Sequence, residues 1–285
     1  GTDGRGQDGG QPSGRTYKNS EPMKTKTIVL AVALTLAAMS ATAQKYLTVL
    51  HTNDTHSCVL PLSAQLADTM LAGRGGFARR VAMLERERKA DKDLLLFDSG
   101  DFSQGSSFYT LFKGDVEVGL MNMMRYDAGT LGNHEFDYGL KNLARVVSKL
   151  NYPVVCANYK FSQYGLDRLV KPYVIIKRKG LRIGVFGLGT KLDGMVDRKN
   201  YERTVYLDPV ATAQKMADTL RKKKCDLVIC VTHLGWITDG VGDQEVIART
   251  RGIDLVLGGH SHTYFKALRY VKNLDGKPRS GRAHV

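Results

Sequence analysis

The sequence predicts one α/β domain over residues 44–285, and three observations carry that reading. Short apolar runs of strand length alternate with longer stretches whose apolar residues recur at the helical period. Turn and cap residues punctuate the boundaries between them. Polar clusters rich in Asp, Asn and His follow the apolar runs, and α/β sheets gather ligands at the carboxyl ends of their strands.

Residues 46–51 form the first β-like run. Phe77, Val81 and Leu84 mark one face of a helix that continues through the charged residues 85–89. A short strand at 94–97, a helix at 115–124 and a weak strand at 128–131 follow. Leu140, Leu143, Val147 and Leu150 share a helical face, and 153–156 is another short strand. Residues 173–176 and 181–186 predict a hairpin around Lys179-Gly180. Asp208-Pro209 opens a helix, since Asp suits the N-cap and Pro the first turn. Val210, Ala213, Ala217 and Leu220 form its apolar face. Arg221-Lys222-Lys223-Lys224 falls at its C-terminal end, where cations complement the helix dipole, so this basic run is read as structural. Strands at 227–231 and 255–257 flank a helical stretch at 244–250. A last strand lies within 264–271, then a turn at 273–278 and a polar, basic tail at 279–285.

The residues before this domain differ in character. Residues 1–22 are rich in Gly, Gln and Ser and predict disorder or a non-native upstream extension. Met23-Lys24-Thr25-Lys26, an apolar core at 28–39 and Ser40-Ala41-Thr42-Ala43 predict a signal peptide over 23–43, cut after Ala43. Spanning a bilayer takes about 20 apolar residues, more than this run offers, so no stable membrane insertion is expected. The expected destination is export, to the periplasm or outside the cell. Net charge is +14, which suits an anionic partner; without interleaved Arg and aromatic residues the expected partner is a small phosphorylated molecule, not nucleic acid. The four cysteines make no CxxC pair, and buried thiols are expected at Cys156 and Cys230.

Five of the seven histidines lie in the polar clusters. Asp54 and His56 stand two residues apart after the first strand, so both project the same way. Asp101 follows a glycine, and its two oxygens suit a bridge between two metal ions. Asn133 offers a neutral carbonyl oxygen. His233 ends a later strand, and Gly258-Gly259 allows a tight turn that projects both His260 and His262. Carboxylates and imidazoles are the ligands of divalent transition metals. A pair of ions about 3.5–4 Å apart would clamp an in-line phosphoryl displacement. Gly187-Leu188-Gly189 lacks the third glycine of a dinucleotide fingerprint and carries no such reading.

The order D-x-H, G-D, G-N-H-E, H, G-G-H-x-H resembles the calcineurin-like metallophosphoesterase superfamily. His51-Thr52-Asn53-Asp54-Thr55-His56 and Gly132-Asn133-His134-Glu135-Phe136-Asp137 resemble the catalytic domain of its 5′-nucleotidase / UDP-sugar hydrolase family. The resemblance implies a sandwich of two mixed β-sheets flanked by helices. It implies one ion (zinc, manganese or iron) on Asp54, His56, Asp101 and His262, and a second on Asp101, Asn133, His233 and His260. It implies His134 as the residue that contacts the scissile phosphate and assists the leaving oxygen, with Asp137 orienting it and Asn158 near the substrate. The expected activity is 5′-nucleotidase-type phosphomonoester hydrolysis. The alternatives are a 2′,3′-cyclic-nucleotide or nucleotide-pyrophosphate phosphodiesterase, and a non-catalytic metal- or anion-binding subunit. Members of this family carry a C-terminal domain that recognises the base, so the expectation includes a truncated C-terminus and a separately encoded substrate-binding domain. Glu135 is expected to hold loop geometry. Asp98 is read as a turn residue or a support behind the ligands, the Arg74-Gly75-Gly76 loop as an anion contact or a plain helix entry, and Trp236 as cleft lining or core.

Overall fold

The computed structural model describes residues 46–238, 240–276 and 278–283; the expectations for residues 1–22 and 23–43 lie outside them. Along the chain, β1 (Val49–Thr52) leads to α1 (Phe77–Ala90) and β2 (Leu95–Asp98). Helices α2 (Ser107–Phe112) and α3 (Asp115–Met124) precede β3 (Ala128–Gly129). A 3-10 turn (His134–Phe136) and α4 (Gly139–Lys149) lead to β4 (Val154–Val155). Then come β5 (Tyr159–Lys160), α5 (Leu166–Leu169), β6 (Val170–Lys171), β7 (Tyr173–Arg178) and β8 (Leu181–Gly189). Next are α6 (Arg198–Tyr201), β9 (Val205–Tyr206), α7 (Pro209–Lys222), β10 (Leu227–His233) and α8 (Asp243–Ala248). Last are β11 (Leu255–Gly258), β12 (Arg269–Lys272) and β13 (Pro278–Ala283).

Two sheets carry the fold. The first runs β1-β2-β3-β4-β6 and pairs only in parallel. The second is mixed, in the order β12-β13-β11-β10-β8-β7, with antiparallel strands at both edges. Strands β5 and β9 form a separate antiparallel ribbon. Between the sheets, Leu95, Phe97 and Ala128 pack against Ile183, Val185, Ile229, Val231 and Leu257. The period of two turns the neighbouring residues outward. Leu94 and Leu96 meet Phe77 and Leu84 of α1 and Val118, Met121 and Met124 of α3. On the other side Phe186, Leu188, Val228 and Cys230 meet Val210, Ala213, Ala217 and Leu220 of α7 and Val246 and Ile247 of α8. Strands buried on both faces read as continuous apolar runs, and short runs of this kind are what the sequence displays at 94–97, 181–186 and 227–231.

Local chemistry explains the joints. Lys179 and Gly180 take φ of 48° and 74°, the left-handed pair that a two-residue hairpin requires. The Asp208 carboxylate accepts from Ala211 N at 2.7 Å and caps α7. Arg221, from the basic run, donates to the carbonyls of Gly252, Cys225 and Asp226, each at 3.0 Å, and so fastens the loops that follow α7 and α8. Removing the cap in Asp208→Ala is expected to lower stability by about 1 kcal/mol, measured by urea denaturation; an unchanged midpoint would contradict the capping role.

The C-terminal expectation needs correction. The side-chain pattern of residues 279–285 reads as a polar tail, yet β13 inserts between β11 and β12, with Val256 opposite Gly281 and Tyr270 opposite Ser280. A turn closed by Gly276 N on Asn273 O at 3.0 Å brings it back. Backbone pairing to a central strand supplies what the side-chain pattern lacks. Strands β8 and β10 also run further than expected, to Gly189 and His233, which are register partners. That extension places His233 at the last rung of the ladder.

Candidate metal centre

His233 ends β10, and the other predicted ligands stand on loops that leave the ends of β1, β2, β3 and β11. The first two loops are zipped together: Asp54 N donates to Gly100 O and His56 N to Asp101 O, both at 3.0 Å. Five of the seven predicted ligands take left-handed backbone, with φ of 47° at Asp54, 41° at His56, 52° at Asp101, 75° at His260 and 49° at His262. Side chains other than glycine rarely adopt this region, and such residues cluster at functional sites. Two glycines admit the close packing. A Cβ on Gly132 would collide with the Asp101 carboxylate, and one on Gly259 would lie 2.8 Å from both His233 Nδ1 and Ser99 O.

Two groups of donor atoms result. Asp54, His56 and His262 form one, and Asp101, His233 and His260 the other, with the donor atoms of each within 4.8 Å of one another. In the first, His56 Nε2 lies 3.1 Å from His262 Nε2, and His262 Nε2 lies 3.3 Å from Asp54 Oδ1. In the second, His233 Nε2 lies 2.9 Å from Asp101 Oδ2. Asp101 also groups with His56 and His134 and so touches both sides. Asn133 Oδ1 is buried with no hydrogen-bond partner, as befits a neutral oxygen donor kept for a cation. Carboxylates, imidazoles and an amide oxygen in this arrangement fit two divalent transition-metal ions.

The electrostatics agree. Burial, with His233 nearby, pushes His260 down to about 4, and burial also lowers His56. Both imidazoles are thereby kept neutral, the form that binds metal. Burial would depress His233, but the Asp101 carboxylate outweighs it and pushes the imidazole up to about 10. Burial would likewise raise Asp101, and the His233 charge reverses this, holding it below the usual carboxylate range. His233 Nδ1 donates to Ser99 O at 2.7 Å, so the proton on Nε2 is the one a cation replaces. That carbonyl left no sequence signal, because any residue supplies one.

Glu135 is buried and accepts from Gly132 N at 2.6 Å, Asp101 N at 3.0 Å and Ser103 N at 3.1 Å. Burial and the Asp101 charge push it up to about 7. It joins the β2 and β3 loops and, as expected, holds their geometry. Glu135→Ala orphans three N–H groups at about 1–3 kcal/mol each, so a loss of roughly 3 kcal/mol or more is expected in denaturant melts; a shift under about 1 kcal/mol would contradict this role. Asp98 accepts from Thr52 Oγ1 at 2.6 Å and Gly100 N at 3.1 Å, so it both closes the turn before Asp101 and ties the ends of β1 and β2 behind the ligand loops.

His134 stands beside the ligands. Its backbone N donates to Asp101 Oδ1 at 2.9 Å, and its Nδ1 bonds Asp137 Oδ2 at 3.0 Å. The Asp137 hydrogen bond raises the imidazole above its ordinary value, against the effect of burial. Both side chains remain about a third exposed, at 32% and 31%.

Asn158 is a correction. It is wholly buried, with Nδ2 donating to Gly189 O and Oδ1 accepting from Gly189 N, both at 2.8 Å. Its amide is spent on fastening the end of β8, so it presents nothing to a substrate. Trp236 packs in the second-sheet core with its ring 5.0 Å from that of Phe265, which decides for core over cleft. Cys156 and Cys230 are buried free thiols.

A two-sheet α/β sandwich with paired donor groups at its strand ends defines a protein built around a dinuclear metal centre. This chain belongs to the calcineurin-like phosphoesterase family, whose profile matches residues 47–264. It is 32% identical to human 5′-nucleotidase over 241 residues, 82% of this chain and 41% of that protein. The 5′-nucleotidase precursor from Thermus thermophilus superposes with a TM-score of 0.75 at 32% identity, covering 83% of this chain and 48% of that one. The NAD nucleotidase of Haemophilus influenzae gives 0.69 at 27% identity, over 83% of this chain and 44% of that one. The chain thus spans about two fifths of the length of the curated relatives it matches. Among the described residues no helix is long and apolar enough to cross a membrane.

Proposed function

We propose that this chain hydrolyses phosphate monoesters, with nucleoside 5′-monophosphates the first substrates to test. The observation that carries the reading is Asp101, which groups with His233 and His260 on one side and with His56 and His134 on the other, and whose carboxylate also accepts from the His134 backbone N. Asp54, His56, Asp101 and His262 would hold one divalent ion; Asp101, Asn133, His233 and His260 would hold the other. Zinc, manganese and iron all suit this mixed ligation. Such ions, when bound, neutralise phosphate oxygens and ease deprotonation of water. The chain's own part is to present them from the zipped loops and to place His134, whose protonated form Asp137 favours and whose ring it orients, where it donates a hydrogen bond to the phosphate or the departing oxygen. The relatives extend well beyond the matched region, so base recognition is assigned to a domain outside the matched residues. The signal-peptide pattern at 23–43 supports export to the periplasm or outside the cell.

A second reading has one observation in its favour. The likeness to an NAD nucleotidase supports cleavage of nucleotide pyrophosphate bonds at the same centre. Product analysis of AMP, a 2′,3′-cyclic nucleotide and NAD, each with and without chelator, separates the readings, because the first would release phosphate, the second would open to a monoester and the third would split into two mononucleotides. Turnover of AMP that stops with chelator and returns with zinc or manganese is expected. Chelator-insensitive turnover would remove the metal mechanism. Metal-loaded protein inert on every ester would favour the non-catalytic binding subunit.

A further inference from the structure

The 3-10 turn that begins at His134 has only three residues, and turns of this kind have poor hydrogen-bond geometry and little stability of their own. Its shape nevertheless decides where the His134 ring meets the Asp137 carboxylate. Within it, Asp137 N donates to the His134 carbonyl at a long 3.3 Å. Two side chains from distant helices hold its ends. The Tyr109 hydroxyl on α2 donates to the same His134 carbonyl at 3.1 Å. Asn200 Nδ2 on α6 donates to the Asp137 carbonyl at 2.8 Å.

Both anchors are themselves fixed. Tyr109 is buried, and burial raises its phenol, so the hydroxyl stays protonated and able to donate. Ser106 caps α2 by accepting from Phe108 N at 3.1 Å, and its Oγ lies 2.6 Å from Ser57 Oγ. Ser57 in turn donates to the fully buried Glu117 of α3. Through Ser57 the helix that carries Tyr109 is tied to the loop that carries Asp54 and His56. On the other side, α6 is capped by Asp197, whose carboxylate accepts from Lys199 N at 3.2 Å.

We propose that Tyr109 and Asn200 are positioning residues that clamp the two ends of the His134–Asp137 turn and so aim His134 at the departing oxygen. The inference rests on the phosphoesterase reading above. Neither residue is a ligand of the proposed ions, so metal binding is expected to survive their loss. A hydrogen bond that must form in the transition state tolerates only about 0.5 Å of misplacement. Esters with poor leaving groups depend on that bond; esters whose leaving oxygen departs as a stable anion do not.

The test compares phenyl phosphate with p-nitrophenyl phosphate, two esters of nearly the same shape that differ in leaving group. In Tyr109→Phe and in Asn200→Ala, kcat on phenyl phosphate is expected to fall about tenfold, the usual scale for loss of a supporting contact. Turnover of p-nitrophenyl phosphate should stay within about threefold, and KM and metal content should not move. Combined with His134→Ala, neither substitution should cost anything further. Equal losses on both esters, or losses that add to His134→Ala, would overturn the clamp. A readout without turnover is the exchange of the His134 Nδ1 proton with water, followed by NMR. Faster exchange in both variants supports the clamp and unchanged exchange refutes it. Wild-type protein that cleaves neither these esters nor AMP would sink the phosphoesterase reading, and the exchange measurement would still judge the clamp.

Discussion

Replacing Asp101 by Ala is expected to leave fewer than two divalent ions per chain and to cost at least about 10³-fold in kcat/KM, the scale of removing one strong electrostatic stabiliser. Asp101 belongs to a donor group with His233 and His260 and to another with His56 and His134. No other carboxylate among the described residues is shared in this way. Its loss also strips the His134 backbone N–H of its acceptor and removes the charge beside the buried His233. Asp101→Asn separates these effects, because it keeps the shape and the acceptor oxygen while deleting the charge. Metal analysis of purified protein and initial rates on AMP measure the outcome. An Asp101→Ala protein that retains two ions and most of its activity would mean that the two groups do not share this ligand.

His134→Ala is expected to behave differently: full metal content, and a fall in kcat of about 10²–10⁴-fold, the range for a lost general acid or hydrogen-bond donor. The imidazole faces the same centre, yet its Nδ1 is committed to Asp137, and its partner groups are His56 and Asp101. The loss should be steepest for esters with poor leaving groups. Loss of metal on His134→Ala would instead place this residue among the ligands. A kcat unchanged on every ester would leave Asp137 orienting nothing of consequence.

Much of the centre was legible in the residues themselves, because metal ligation accepts few side-chain types. Asp54-x-His56 and His260-x-His262 each carry two donors of metal-binding type just after an apolar run. Glu135 was legible as a loop support, since the proposed chemistry assigns it no other task. Asn158 was not: an amide after a strand has the same local pattern whether it meets a ligand or, as here, closes on Gly189. Strand β13 was missed because its residues have no strand periodicity and owe their conformation to pairing with β11. Tyr109 and Asn200 carried no signal either, being ordinary residues whose partners lie 25 and 63 positions away.

By itself the sequence determined the alternation of strands and helices, the hairpin at Lys179-Gly180, the cap at Asp208 and the chemical types of the donors in their order. These rest on local preferences: the period of side chains along a helix or strand, the φ a residue tolerates, and the atoms it offers. Only the tertiary structure decided that Asp101 is shared, that five donors sit on left-handed backbone, that the Ser99 carbonyl holds His233, and that the Tyr109 hydroxyl holds the His134 carbonyl. Asp54 and His260 are 206 positions apart and meet through a 3.0 Å hydrogen bond. A contact of that kind depends on the register of two packed sheets, and no window of neighbouring residues contains it.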